Sequence, residues 1–124
     1  MPKENYRNCL LSLLIATFLV IACDGGSRIK GQVYDSEDKP IENATVKFEA
    51  IDKGELKESY QCIGRTAKDG KFDCGFLHSP FNIQLKLTVS KEGYKIHETE
   101  FSSREASKKL KSNEEYQIVL EKDE

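Results

Sequence analysis

Cys62 and Cys74 stand on either side of the segment TAKDG, residues 66–70. Thiols at that spacing around a turn have few chemistries open to them. Counted back by twos, Cys62, Gly64 and Thr66 share one face of an extended strand, and Cys74 shares a face with Phe72. If those strands pair across the turn, both thiols point inward, opposite one another or one diagonal step apart. In an oxidising compartment this predicts a disulfide, worth ~2–3 kcal/mol in the chain-entropy treatment. The alternative is a pair of buried reduced thiols packing as small apolar groups. Cys62, Cys74 and His78 match no compact pair of zinc ligands and no fourth ligand is evident, so no metal is expected. His97 falls within an alternating strand and is expected at the edge of the core. No serine with a histidine and an acid to activate it, no paired carboxylates and no phosphate loop emerge. The expectation is no catalytic residue, no cofactor and no enzyme.

Cys23 is a different kind of thiol. It ends the apolar run CLLSLLIATFLVIA of residues 9–22, which follows a short polar stretch carrying Lys3 and Arg7. A bilayer-spanning helix needs ~20 apolar residues. A shorter run with a basic flank and small residues at its end has the layout of a secretory signal peptide. The residues Val20-Ile21-Ala22-Cys23 resemble the lipobox of bacterial lipoproteins. In that family the cysteine thiol receives a diacylglycerol, a dedicated peptidase cleaves before it, and the new amino group is usually acylated. The resemblance makes residues 1–22 a leader and Cys23 a membrane tether. Several acyl chains hold a soluble domain where one does so only marginally, at ~0.8 kcal/mol per buried CH₂. Asp24 is similar to the signal that keeps lipoproteins in the inner membrane of enteric bacteria. Since other bacteria sort by other rules, inner and outer membrane both stay open.

Without that leader, 102 residues remain, with 17 basic against 20 acidic side chains and a net charge of −3. The signs are interspersed, which favours solubility and offers no field for a polyanion, so nucleic acid is not an expected partner. About a hundred residues form one modest core. The elements that must position the thiols read as short strands. Asp24 to Arg28 forms a Gly/Ser tether, and the domain proper is expected from Ile29 to Lys122. Ile29, Gly31 and Val33 alternate with polar residues, as do Ala44, Val46, Phe48 and Ala50, and then Ile83, Leu85, Leu87 and Val89. Asp69-Gly70 signals a hairpin. KIHETEF continues as a strand, residues 102–115 are polar and read as a loop, the other choice being one or two exposed helical turns, and YQIVLEK closes the domain with Tyr116, Ile118 and Leu120 inward. This predicts an all-β, seven-stranded antiparallel sandwich. The apolar segment CGFLHSPFN, with Phe76, Leu77 and Phe81, is expected to fold over the end of the sandwich, the other choice being a recognition patch.

Four pieces in order are similar to carboxypeptidase regulatory-like domains: Ile29-x-Gly31-x-Val33 with Pro40-Ile41 and Ala44-x-Val46; Thr66 with Asp69-Gly70-x-Phe72; a strand leading to Gly93-Tyr94; and the final strand YQIVLEK. That resemblance implies a transthyretin-like sandwich and a non-catalytic structural or protein-interaction module of the bacterial envelope, with an envelope protein as partner. A carbohydrate-binding domain is the alternative, with Tyr34, Tyr60 and Tyr116 as a weak sugar platform. A transthyretin-like hydrolase ranks lower. Hydroxyisourate hydrolases resemble one another in paired histidines, an arginine and a C-terminal Tyr-Arg-Gly-Ser, whereas this chain has two histidines and ends LEKDE.

Overall fold

Alternating apolar and polar residues bury one face of a strand, and most of this chain is built on that period. The computed structural model describes residues 25–52, 55–78 and 81–123. Cys23, Asp24 and the expected leader lie outside the described residues. Among the described residues, seven strands form two sheets: β1 (Ser27–Asp35), β2 (Thr45–Asp52), β3 (Glu55–Arg65), β4 (Lys71–Phe76), β5 (Gln84–Ser90), β6 (His97–Ser102) and β7 (Tyr116–Leu120). One helix, α1 (Ser103–Lys111), lies between β6 and β7. The smaller sheet has the order β4–β1–β7 and the larger β3–β2–β5–β6. The all-β two-sheet architecture expected from the alternation is the one observed.

The core lies between the sheets. Ile29 and Val33 of β1, Val46 and Phe48 of β2, Leu85, Leu87 and Val89 of β5, and Ile118 and Leu120 of β7 are all buried. Phe48 is at its centre, 5.0 Å from the Phe76 ring and 6.0 Å from Phe101. Two turn residues hold the strand ends in register. The Thr66 hydroxyl donates to Ile41 O at 2.7 Å and accepts from Ala44 N–H at 2.8 Å. This ties the loop before β2 to the end of β3. Gly70 turns the chain at φ +80°, and a Cβ there would sit 2.4 Å from Val33 O, so only glycine fits.

The structure corrects several expectations. TAKDG does make a tight turn, with Gly70 N–H donating to Ala67 O at 2.9 Å, but it does not join a hairpin. β3 pairs with β2 in the larger sheet while β4 pairs with β1 in the smaller. The chain therefore crosses between layers at residues 66–70. The sandwich is also not wholly antiparallel, because β7 pairs in parallel with β1 from Gly31 to Asp35. β4 occupies one flank of β1, and β7 fills the other, running in the same direction as β1. Residues 103–111 form a helix instead of a loop. β7 does not reach the first half of β1, and α1 packs against β1 and β6 on that flank. Finally, β1 begins at Ser27, inside the stretch read as tether. Its Arg28–Gly75 and Ser27–Phe76 register with β4 draws those residues into the sheet.

Candidate functional site

The residues with chemical capacity separate to the two ends of the sandwich. His78 sits where β1 begins; His97 opens β6, opposite Val89 at the other end. The His97 ring hydrogen-bonds the Thr99 hydroxyl at 2.8 Å. The two histidines are therefore not brought together. Among the described residues, no group of three or more His, Cys, Asp or Glu side chains gathers to hold a metal ion.

Cys62 and Cys74 are joined as a disulfide with Cα atoms 5.8 Å apart. Because β3 and β4 belong to different sheets, the bond links the layers along one flank instead of crossing a hairpin. Cys74 is in the core and Cys62 is packed against it. The opposite flank is closed by α1 and by Tyr116, whose ring stacks on Phe101 at 5.2 Å with the Lys109 ammonium 4.5 Å from its centroid. Burial, together with the nearby Glu105 charge, pushes the Tyr116 hydroxyl up to about 12. The three tyrosines of the sugar-platform alternative are not assembled. Tyr34 is on β1, Tyr60 packs against the core from β3, and Tyr116 is engaged from both sides.

The end where β1 starts has the most developed side-chain architecture. Gly25 adopts φ +75°, and the buried Ser27 shares a 2.8 Å hydrogen bond with His78. The His78 ring rests 5.7 Å from Phe76. Asn82 fastens the start of α1. Its Oδ1 accepts from Ser103 Oγ at 2.9 Å and from Arg104 N–H at 3.1 Å. Ser102 is the N-cap, its hydroxyl accepting from Glu105 N–H at 3.2 Å. At the other end of the helix Asn113 takes φ +55°. Asn113 N–H bonds Leu110 O and Glu114 N–H bonds Lys109 O, the pair of bonds that closes a Schellman C-terminus. Ser102-x-x-Glu105, three lysines in the last turn and Asn113 are all helix-end signals. Only Ala106 and Leu110 supply apolar periodicity between them, which is why the sequence reads as loop.

This capping fixes which way α1 faces. Arg104, Lys108 and Lys111, at spacings of four and three, line an open depression of ≈ 360 Å³ together with Gly25, Gly26 and Phe81. An adjoining depression is lined by Gly26, Leu77 and Leu110. Of the three large apolar side chains in the segment expected to fold over the sandwich, Phe76 packs against the core. Leu77 and Phe81 are each 77% exposed. The other end of the molecule carries a second groove of ≈ 470 Å³ between Asn43, Arg65, Tyr94 and Ile96, in which Arg65 donates to Asn43 Oδ1 at 3.1 Å.

No protein-family model matches the chain, and no curated protein matches it significantly. Solved structures do resemble it. The 3-chlorocatechol 1,2-dioxygenase of Rhodococcus opacus 1CP aligns over 79% of this chain and 60% of its own, with TM-score 0.56 at 15% identity. The catechol 1,2-dioxygenase of Acinetobacter radioresistens gives TM-score 0.56 at 13% identity over 81% of this chain and 53% of its own. The hydroxyquinol 1,2-dioxygenase of Pseudomonas putida DLL-E4 gives TM-score 0.55 at 11% identity over 80% and 57%. The chain thus spans between about half and three fifths of each dioxygenase. At these identities the likeness establishes a shared β-sandwich and nothing about chemistry.

Proposed function

We propose that this chain is a lipid-anchored protein of the bacterial cell envelope, whose single β-sandwich acts as a non-catalytic structural or protein-interaction module. The observation behind the proposal is Val20-Ile21-Ala22-Cys23 at the end of a short apolar run with a basic flank, followed within four residues by the first strand. On this reading residues 1–22 are removed, Cys23 carries the acyl chains, and the membrane is the first partner. An envelope protein is the second. The domain itself is read as carboxypeptidase regulatory-like. That reading is supported by the demanding positions of its pattern: Gly31, where a Cβ would lie 2.4 Å from the Phe72 ring, the Thr66 double hydrogen bond, and Gly70 at positive φ. The activity named for the dioxygenases is not transferred to this chain.

Metabolic labelling with an alkyne fatty acid tests the anchor. Wild type is expected to take up label and Cys23→Ser to lose it. Label retained by Cys23→Ser would remove the anchor assignment. Crosslinking in native membranes, read by mass spectrometry, tests the interaction role, which predicts a reproducible protein partner.

A further inference from the structure

Gly25 lies two positions after Cys23, and two residues span at most ~7 Å of fully extended chain. β1 begins two residues later and is held in the sheet from Ser27. If Cys23 is acylated, as proposed above and as this inference requires, the end of the sandwich bearing Gly25 and Gly26 stands at the lipid headgroups. The exposed apolar side chains of Leu77, Phe81 and Leu110 are at this same end. Leu77 packs against Gly26, since a Cβ at Gly26 would meet Leu77 Cδ2 at 3.1 Å. Arg104, Lys108 and Lys111 form a cationic stripe on the same side of α1. The nearby acid of the helix, Glu105, acts on Tyr116, and Asp73 is taken up by Arg28.

We infer that this end is a membrane-contact surface, with Leu77, Phe81 and Leu110 entering the interface and Arg104, Lys108 and Lys111 meeting anionic headgroups. The combination is the one expected of an interfacial element, in which apolar side chains penetrate the headgroup boundary and a cationic rim supplies attraction to acidic lipid. It orients the sandwich with the β1 start against the bilayer and presents the groove lined by Asn43, Arg65 and Tyr94 outward, at the far end.

The test uses the full-length chain extracted from membranes and reconstituted in vesicles of phosphatidylethanolamine with phosphatidylglycerol. Phe81→Cys and, separately, Ile96→Cys receive an environment-sensitive fluorophore. Ile96 is 65% exposed at the far end, so both substitutions leave the core intact. Brominated lipids are expected to quench the position-81 probe several-fold more than the position-96 probe. Neutralising Arg104, Lys108 and Lys111 to Gln in the leaderless chain of residues 23–124 carrying Cys23→Ser should weaken its association with these vesicles about fivefold per charge removed, as ~1 kcal/mol per surface cation requires. It should have no effect on uncharged phosphatidylcholine vesicles. Equal quenching at both positions, or none at 81, in protein whose mass carries the acyl chains overturns the contact surface and leaves the anchor standing. Position 81 shielded by a crosslinked protein overturns it in favour of a protein interface. A chain with no acyl mass overturns both.

Discussion

Reducing the Cys62–Cys74 bond is the perturbation whose effect is best defined by the structure. Packed sheets lie ~10 Å apart, yet these Cα atoms approach to 5.8 Å, so the bond holds the β3 and β4 flank of the sandwich closed. The residues it joins are 12 apart in sequence. Closing a loop of that size in the unfolded chain removes entropy worth ~3 kcal/mol at 25 °C. A domain of about a hundred residues unfolds with ~0.2 kcal/mol/K of entropy, so the melting temperature should fall by about 14 °C. Total stabilities are of the order of 5–15 kcal/mol, so the reduced domain is expected to remain folded at low temperature. The assay is thermal unfolding followed by circular dichroism, with and without a thiol reductant, on wild type and on Cys62→Ala/Cys74→Ala. The double variant should melt near the reduced wild type and ignore the reductant. A wild-type melting point unmoved by reductant, with thiols shown to be free, would refute the reasoning. So would a double variant that remains sensitive to it.

Other substitutions probe the core, the close strand approach and the half-buried phenol of Tyr116. Phe48→Ala deletes a fully buried ring packed between Phe76 and Phe101, and should cost ~3–5 kcal/mol in chemical denaturation. Gly31→Ala places a Cβ 2.4 Å from Phe72 and 2.8 Å from Tyr116 O. Overpacking of this kind costs ~1–3 kcal/mol, measurable as a lower denaturation midpoint with unchanged slope. Tyr116 ionises at about 12 in the folded chain, above its ordinary value of 10.0. The unfolded state therefore loses its proton first, and the stability contributed by the neutral phenol is complete below pH 10 and is lost as pH rises towards 12. Wild type should lose stability more steeply than Tyr116→Phe across that window in parallel pH-dependent denaturation, and equal slopes would contradict the assignment.

The two-layer β architecture and its core face were legible because alternation is a local property. Ile29, Gly31 and Val33, or Leu85, Leu87 and Val89, declare their buried side without knowledge of any partner. Gly70 was legible for a related reason, since turn chemistry is decided within a few residues, whereas Thr66 came only with the family resemblance, its partners Ile41 and Ala44 lying more than twenty residues back in the chain. Pairing was not. Nothing local to TAKDG says that β3 leaves for β2 and β4 for β1, because register and sheet membership are set by residues distant in sequence. The helix was obscured by its place on the flank, where a buried Ala106 suffices and the other positions are free to be polar. The exposure of Leu77 and Phe81 runs against the default that apolar segments are covered. That departure, beside a cationic helix face at the β1 end, is what the folded chain adds to the reading of the sequence.

The central claim is that Cys23 begins the mature protein and carries lipid. Mass spectrometry of the N-terminal peptide from membrane-extracted protein measures this directly. The account predicts a peptide starting at Cys23 with the added mass of a diacylglyceryl group and usually a further acyl chain. A peptide that starts at Met1 and runs through position 23 as an unmodified thiol would contradict it.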